Sequence, residues 1–191
     1  MKKLVMGIAC VILFVSNAFA HDGTIGLFTS DLAVDCDGTP TAYVPYTVYM
    51  VYLMSDGGPN GILGWDLRVE FSVGAPDILV GVPIWAPNTL PQGTDIEYGV
   101  SVVSDGGYCI GLNDETVYLG HFTVMSTGIV GFRAQVMPHT DNNDEVVYVV
   151  MCDIAHTEHV VTGGTFIFQD GQCNTDVEDS SWGAIKSLFK E

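Results

Sequence analysis

The sequence predicts an all-β protein, an antiparallel β-sandwich of about nine strands with a short C-terminal helix. Three observations carry that expectation. Two-residue alternation is strict in places: Leu63, Trp65, Leu67, Val69, Phe71 and Val73 share one strand face, and Ile62, Gly64, Asp66, Arg68, Glu70 and Ser72 the other. Apolar runs of strand length are separated by Gly, Pro and Asp turns at the spacing typical of sandwiches and barrels. Between those runs no segment has helical periodicity, so neighbouring strands are expected to pair antiparallel rather than through crossover helices.

The elements follow in order. Met1-Lys2-Lys3, the apolar run Leu4–Val15 and the small-x-small site Ala18-Phe19-Ala20 have the layout of a secretory signal peptide, residues 1–20. The run is short for a bilayer span, which takes about 20 apolar residues. Cleavage after Ala20 leaves 171 of the 191 residues, starting at His21. A sandwich domain is expected over 21–170 and a tail over 171–191, with no transmembrane segment in either.

The first strand is Thr24–Phe28, followed by a polar loop, Ser30–Pro40, with Asp31, Asp35 and Asp37. Tyr43–Met54 is a long strand whose even face is wholly apolar, and Pro45, which cannot donate to a ladder, marks an edge or a bulge. A tight turn over Asp56–Gly61 joins it to the strand Ile62–Val73. Ile78–Trp85 is interrupted by Gly81 and Pro83, and Ala86–Asp95 is a loop. Tyr98–Val103 aligns Tyr98, Val100 and Val102, and Tyr108–Leu112 is a short strand. Val117–Met125 and Val130–Met137 follow, the latter with Val130, Phe132, Ala134 and Val136 on one face. Val146–Met151 is apolar on both faces, the pattern of a strand covered on both sides. Val160–Phe168 closes the domain, with a bulge or bend at Gly163-Gly164. In the tail, Trp182, Ile185 and Phe189 share a helical face, and a helix of about ten residues needs a surface to dock on.

Charge and cysteines narrow the function. The mature chain holds four basic residues against 23 acidic ones, a formal charge of −19. Such a surface repels nucleic acid and anionic lipid, whose proteins bind phosphate largely through Lys and Arg. Cys36, Cys109, Cys152 and Cys173 remain after cleavage, an even count that predicts two disulfides in an exported chain, with three pairings open.

Several residues are candidates for chemistry. An N-terminal His21 offers an amine and an imidazole for copper, with His121, His139, His156 or His159 as a second ligand. His156, Glu158 and His159 offer a weaker zinc set. Asp141, Asn143 and Glu145 supply hard oxygens for calcium, as do Asp31, Asp35 and Asp37, although neither loop has the glycine and glutamate spacing of an EF-hand. Trp85, between Pro83 and Pro87, either stacks on a sugar or partner or packs at a hinge. Asp66, Arg68 and Glu70 read as a surface ion network. With no GxSxG, HExxH or nucleotide-binding glycine loop, no catalytic residues are expected.

The stretch Gly64-Trp65-Asp66-Leu67-Arg68-Val69-Glu70-Phe71, then Pro76-Asp77-Ile78-Leu79, Leu119–Val124 and Gly128–Phe132, resembles the cohesin-like sandwich over roughly Ile25–Phe168. This resemblance, shared with carbohydrate-binding modules, implies a cohesin-like jelly roll. It also implies a non-enzymatic module, secreted or on the cell surface (the periplasm being a further location), that binds a protein or carbohydrate partner. The chain departs from cellulosomal proteins in lacking a dockerin or anchoring module, so cellulosome assembly is not implied. The whole chain, including Trp182-Gly183-Ala184-Ile185-Lys186, also resembles uncharacterised secreted proteins of environmental bacteria. A copper-binding secreted protein and a structural subunit of a surface assembly are the alternatives.

Overall fold

The computed structural model describes residues 23–33, 35–54, 61–111, 116–142 and 145–169. Among them are twelve strands: β1 (Gly23–Phe28), β2 (Tyr46–Met54), β3 (Ile62–Phe71), β4 (Ile78–Val80), β5 (Ile84–Trp85), β6 (Thr89–Gln92), β7 (Val100–Ser104), β8 (Thr116–Ser126), β9 (Arg133–Met137), β10 (Val147–Met151), β11 (Glu158–Gly163) and β12 (Thr165–Ile167). They hydrogen-bond in the order β12-β9-β3-β10-β11-β1-β2-β8-β4, with β5 on β8, β7 on β3 and β6 on β7. Pairing is antiparallel throughout except between β1 and β11, which run parallel.

The sandwich arises because this path doubles back on itself. Phe71 of β3 meets Phe122 of β8 edge-on at 6.0 Å, and Trp65 of β3 meets Trp85 of β5 at 6.2 Å. Tyr46 of β2 reaches Phe166 of β12 at 6.0 Å. These strands do not pair with one another, so the contacts cross the core between layers. The inward residues Val48, Met50, Leu67, Val69, Leu119 and Phe122 are nearly inaccessible. Each such side chain contributes about 1.5–3 kcal/mol by leaving water.

The architecture matches the expected all-β sandwich, with several local differences. β2 and β3 do not form a hairpin: β2 pairs with β1 and β8, whereas β3 pairs with β7, β9 and β10. The chain therefore changes layers between them. Pro45 lies just before β2, which is an interior strand with a partner on each side. Ile62, expected on the polar face, is fully buried, because a register shift opposite Val150/Met151 skips Leu63 and turns Ile62 inward.

Ala86–Asp95 was expected as a loop and contains β6, an edge strand in which Pro91 costs no ladder bond on its open side. The span Ile78–Trp85 splits into β4 and β5, and the last strand splits into β11 and β12 at Gly163-Gly164. Of the expected strand Tyr108–Leu112, the described residues form the bridge of Ile110 to Ile62. Tyr98 and Val130 lie outside their strands and are 54% and 60% exposed. The expected C-terminal helix and the signal peptide lie outside the described residues.

Candidate binding face

The outer surface of β6-β7-β3-β10 carries a hollow. Strand register builds it in two rows. Leu90, Val103, Gly64, Val150 and Glu158 lie side by side across β6, β7, β3, β10 and β11. The next row is Gln92, Ser101, Asp66, Tyr148 and Val160. Because the middle residue of the first row has no side chain, a hollow of about 190 Å³ opens between Val103 and Val150. Gly64 lies at its floor, where an added Cβ would come within 2.6 Å of the Val102 carbonyl oxygen.

The floor is apolar and the wall is acidic. Val103 is 43% exposed and Val150 is half-buried, so the floor between them is aliphatic. Asp66 is held in the second row by the Ser101 hydroxyl, which donates to Oδ1 at 2.9 Å. The hollow widens into an open depression of about 640 Å³ bordered by Gln92, His139, Asp141 and Asn142. Among the described residues lining these two spaces, Asp66, Asp141 and Glu158 are acidic and none is Lys or Arg.

The rim of the depression is braced. Tyr98 donates its hydroxyl to Asp141 at 3.0 Å, Thr140 donates to the Tyr98 carbonyl at 2.8 Å, and the His139 ring meets Tyr98 edge-on at 5.9 Å. Nearby, Asp95 Oδ1 accepts the Glu97 and Tyr98 N–H groups, an Asx turn that fixes where Tyr98 leaves the chain. Burial, and then the neighbouring Asp95, raise the Glu97 carboxyl above its ordinary value.

Of the ion network expected around Arg68, the pair with Glu70 forms at 3.0 Å, and Arg68 Nε donates to the Pro138 carbonyl at 3.0 Å. Asp66 is bonded instead to Ser101. Val146–Met151, read as covered on both sides, is corrected: Tyr148 and Val150 of β10 face the hollow. The usable signals were Gly64 inside a strand and apolar residues on the second face of β10. The registers that bring them together join segments distant in sequence.

The other candidates are dispersed. Trp85 is half-buried in β5, packed on the core and on Trp65. His121 shares a 2.5 Å hydrogen bond with the Tyr118 hydroxyl, and His139 lies on the rim just described. His156 lies in the turn after β10, while His159 Nε2 is 3.0 Å from the Thr157 hydroxyl. Asp141 belongs to the braced rim, and Glu145 follows it in the same loop. No three His, Cys, Asp or Glu side chains converge as a metal-binding group among the described residues. His21, Asn143, Cys173, Trp182, Ile185 and Phe189 lie outside those residues. Cys109 and Cys152 are bonded, with Cα atoms 5.7 Å apart, and tie the segment beside β3 to the end of β10. Cys36 is also disulfide-bonded.

Asp31, Asp35 and Asp37 belong to a loop over the opposite outer face. There Phe28, Cys36 and Val51 form a second buried cluster with Ala33, Tyr49 and Leu53 against it. No helix among the described residues is long and apolar enough to cross a membrane.

No protein-family model matches the chain, and no curated protein does. Among solved structures, it is similar to a cohesin module from a family 33 glycoside hydrolase of Clostridium perfringens, at 8% identity and a TM-score of 0.50, over 76% of this chain and 93% of that one. It is also similar to the sixth cohesin of scaffoldin B from Acetivibrio cellulolyticus, solved in complex with a dockerin, at 16% identity and a TM-score of 0.48, over 77% and 99%. The fold is a cohesin-like β-sandwich.

Proposed function

We propose that this chain is a non-enzymatic, extracellular or cell-surface module that binds a protein partner through the outer face of β6-β7-β3-β10. The observation that carries the reading is the Gly64 hollow, flanked by Val103 and Val150 and bordered by Asp66. Its apolar floor takes an aliphatic side chain, and the acids around it favour a partner with an adjacent Lys or Arg. Interfaces concentrate their energy in such pockets, with charges setting orientation and encounter rate. The cohesin-like fold supports a binding role, and the reading requires no cofactor.

The test uses the full secreted chain as bait for the extracellular proteins of its source. A captured protein is purified and titrated against the parent, Val103→Arg and Val150→Arg. Each variant is expected to bind at least ~100-fold more weakly, about 2.7 kcal/mol, with unchanged unfolding curves. Affinity should also fall steeply with salt. Equal affinity in all three chains would move the site elsewhere. Binding to polysaccharide alone would replace the protein partner, and self-association through this face would favour a structural subunit.

A further inference from the structure

Gly64 and Asp66 are successive residues on the outward face of β3, so about 6.8 Å of strand separates them. The first position offers aliphatic walls, Val103 on one side and Val150 on the other, over a floor of bare backbone. The second offers a negative charge, held between Ser101 and Tyr148. A side chain that satisfies both positions has an unbranched apolar stem that ends in a cation. Lysine and arginine have that form, and both lay their stems on apolar surface with the charged head toward water.

The way Asp66 is held distinguishes the two. Among the described residues, its carboxylate accepts one hydrogen bond, from the Ser101 hydroxyl to Oδ1 at 2.9 Å, and Oδ2 stays open. An arginine fork binds a carboxylate best through both oxygens, so it competes with Ser101 for Oδ1. A lysine ammonium is a point charge with three rotatable donors, and one oxygen is enough for it. Its four-carbon stem reaches about 6 Å, close to the spacing of the two positions. Glu158, beside Val150, adds a second acid at the border of the hollow. Arg68, the next outward residue of β3, is turned to Glu70 and the Pro138 carbonyl rather than to Asp66.

We infer, on the reading of this face as the binding site, that one lysine of the partner fills the hollow. Its stem lies on Gly64 between Val103 and Val150, and its ammonium binds Asp66 Oδ2 with Glu158 as the flanking charge. A single residue thereby supplies both the aliphatic group and the cation.

The test is a titration of the methyl-labelled full chain, followed by NMR, with the Nα-acetyl N-methylamides of lysine, norleucine, arginine and Nε-acetyl-lysine. Lysine and norleucine are expected to move the Val103 and Val150 methyl signals, lysine with about five-fold higher affinity. Arginine and Nε-acetyl-lysine should both fall behind lysine. Asp66→Asn should bring lysine down to the norleucine value. Ser101→Ala, which frees Oδ1, should narrow the gap between arginine and lysine, and an unchanged gap overturns that role of Ser101. Lysine no better than norleucine, or arginine equal to lysine in the parent, overturns the lysine anchor, while the valine shifts keep the hollow as the binding site. A lysine advantage that survives Asp66→Asn comes from the general negative charge of the chain and overturns the anchor as well. Val103 and Val150 signals that no probe moves overturn both the anchor and the hollow itself.

Discussion

β2 and β10 are both apolar on alternate and intervening positions, yet they have opposite fates. On β2 the inward Val48, Met50 and Tyr52 are fully buried, and so is Val51 on the outward side, under the 29–40 loop. On β10 the inward Val147 and Val149 are buried, while outward Tyr148 and Val150 remain half-exposed around the Gly64 hollow. The same chemistry is core in one strand and solvent-facing surface in the other. The difference lies in whether a neighbouring loop reaches the second face. Cys36 packs with Val51 under the loop over β2, whereas Cys109–Cys152 ties the end of β10 and leaves Tyr148 and Val150 partly exposed.

A charge placed on each outward position sharpens the contrast most. In Val51→Asp the carboxylate is enclosed between β2 and its covering loop, without water or a partner. Such burial costs about 3–5 kcal/mol. Val150→Asp leaves the carboxylate in solvent at the mouth of the hollow and should cost under about 1 kcal/mol. Denaturant unfolding of both variants measures the difference. Near-equal losses would mean that β10 is as well covered as β2.

Removing the Cys109–Cys152 bond gives the next effect. Its sequence separation of 43 residues predicts a loss of roughly 2–4 kcal/mol in the double variant Cys109→Ala, Cys152→Ala. Hydrogen exchange should quicken at β10 and in residues 105–111, while β1 and β2 hold their protection. A uniform increase over both layers would show the bond acting on global stability alone.

Much of this contrast was legible along the chain, and its missing parts are non-local. The buried face of Trp65, Leu67 and Val69 follows directly from alternation. Ile62 does not, because the bulge that turns it inward depends on where β10 ends. β6 is hidden by Pro91, which only an edge position tolerates. The hollow requires Val103, Gly64 and Val150 in one row, and no local pattern states that register. Gly64 was nevertheless a visible signal: a glycine inside a strong strand marks a bulge or a close approach. The double apolar pattern of β10 was equally visible, and what separates it from β2 is that no loop among the described residues buries its outward face.

The smallest effect probes the turn that ends β10. Asp153 accepts the Thr157 hydroxyl at 2.5 Å and the Thr157 N–H at 2.8 Å. The Thr157 hydroxyl, and then its N–H, hold the Asp153 carboxyl below the ordinary aspartate value of 3.8. A carboxyl lowered by folding stabilises the fold above its unfolded value and loses that contribution as pH falls through its folded value. The parent is therefore expected to be slightly more stable than Asp153→Asn near neutrality, with the gap closing below pH 3.8. Unfolding curves of the two chains on either side of that pH measure it. A gap that persists in acid would trace the turn's stability to its shape rather than to the carboxylate. The exposed face of β10 would then be held by the Cys109–Cys152 bond without help from this clamp.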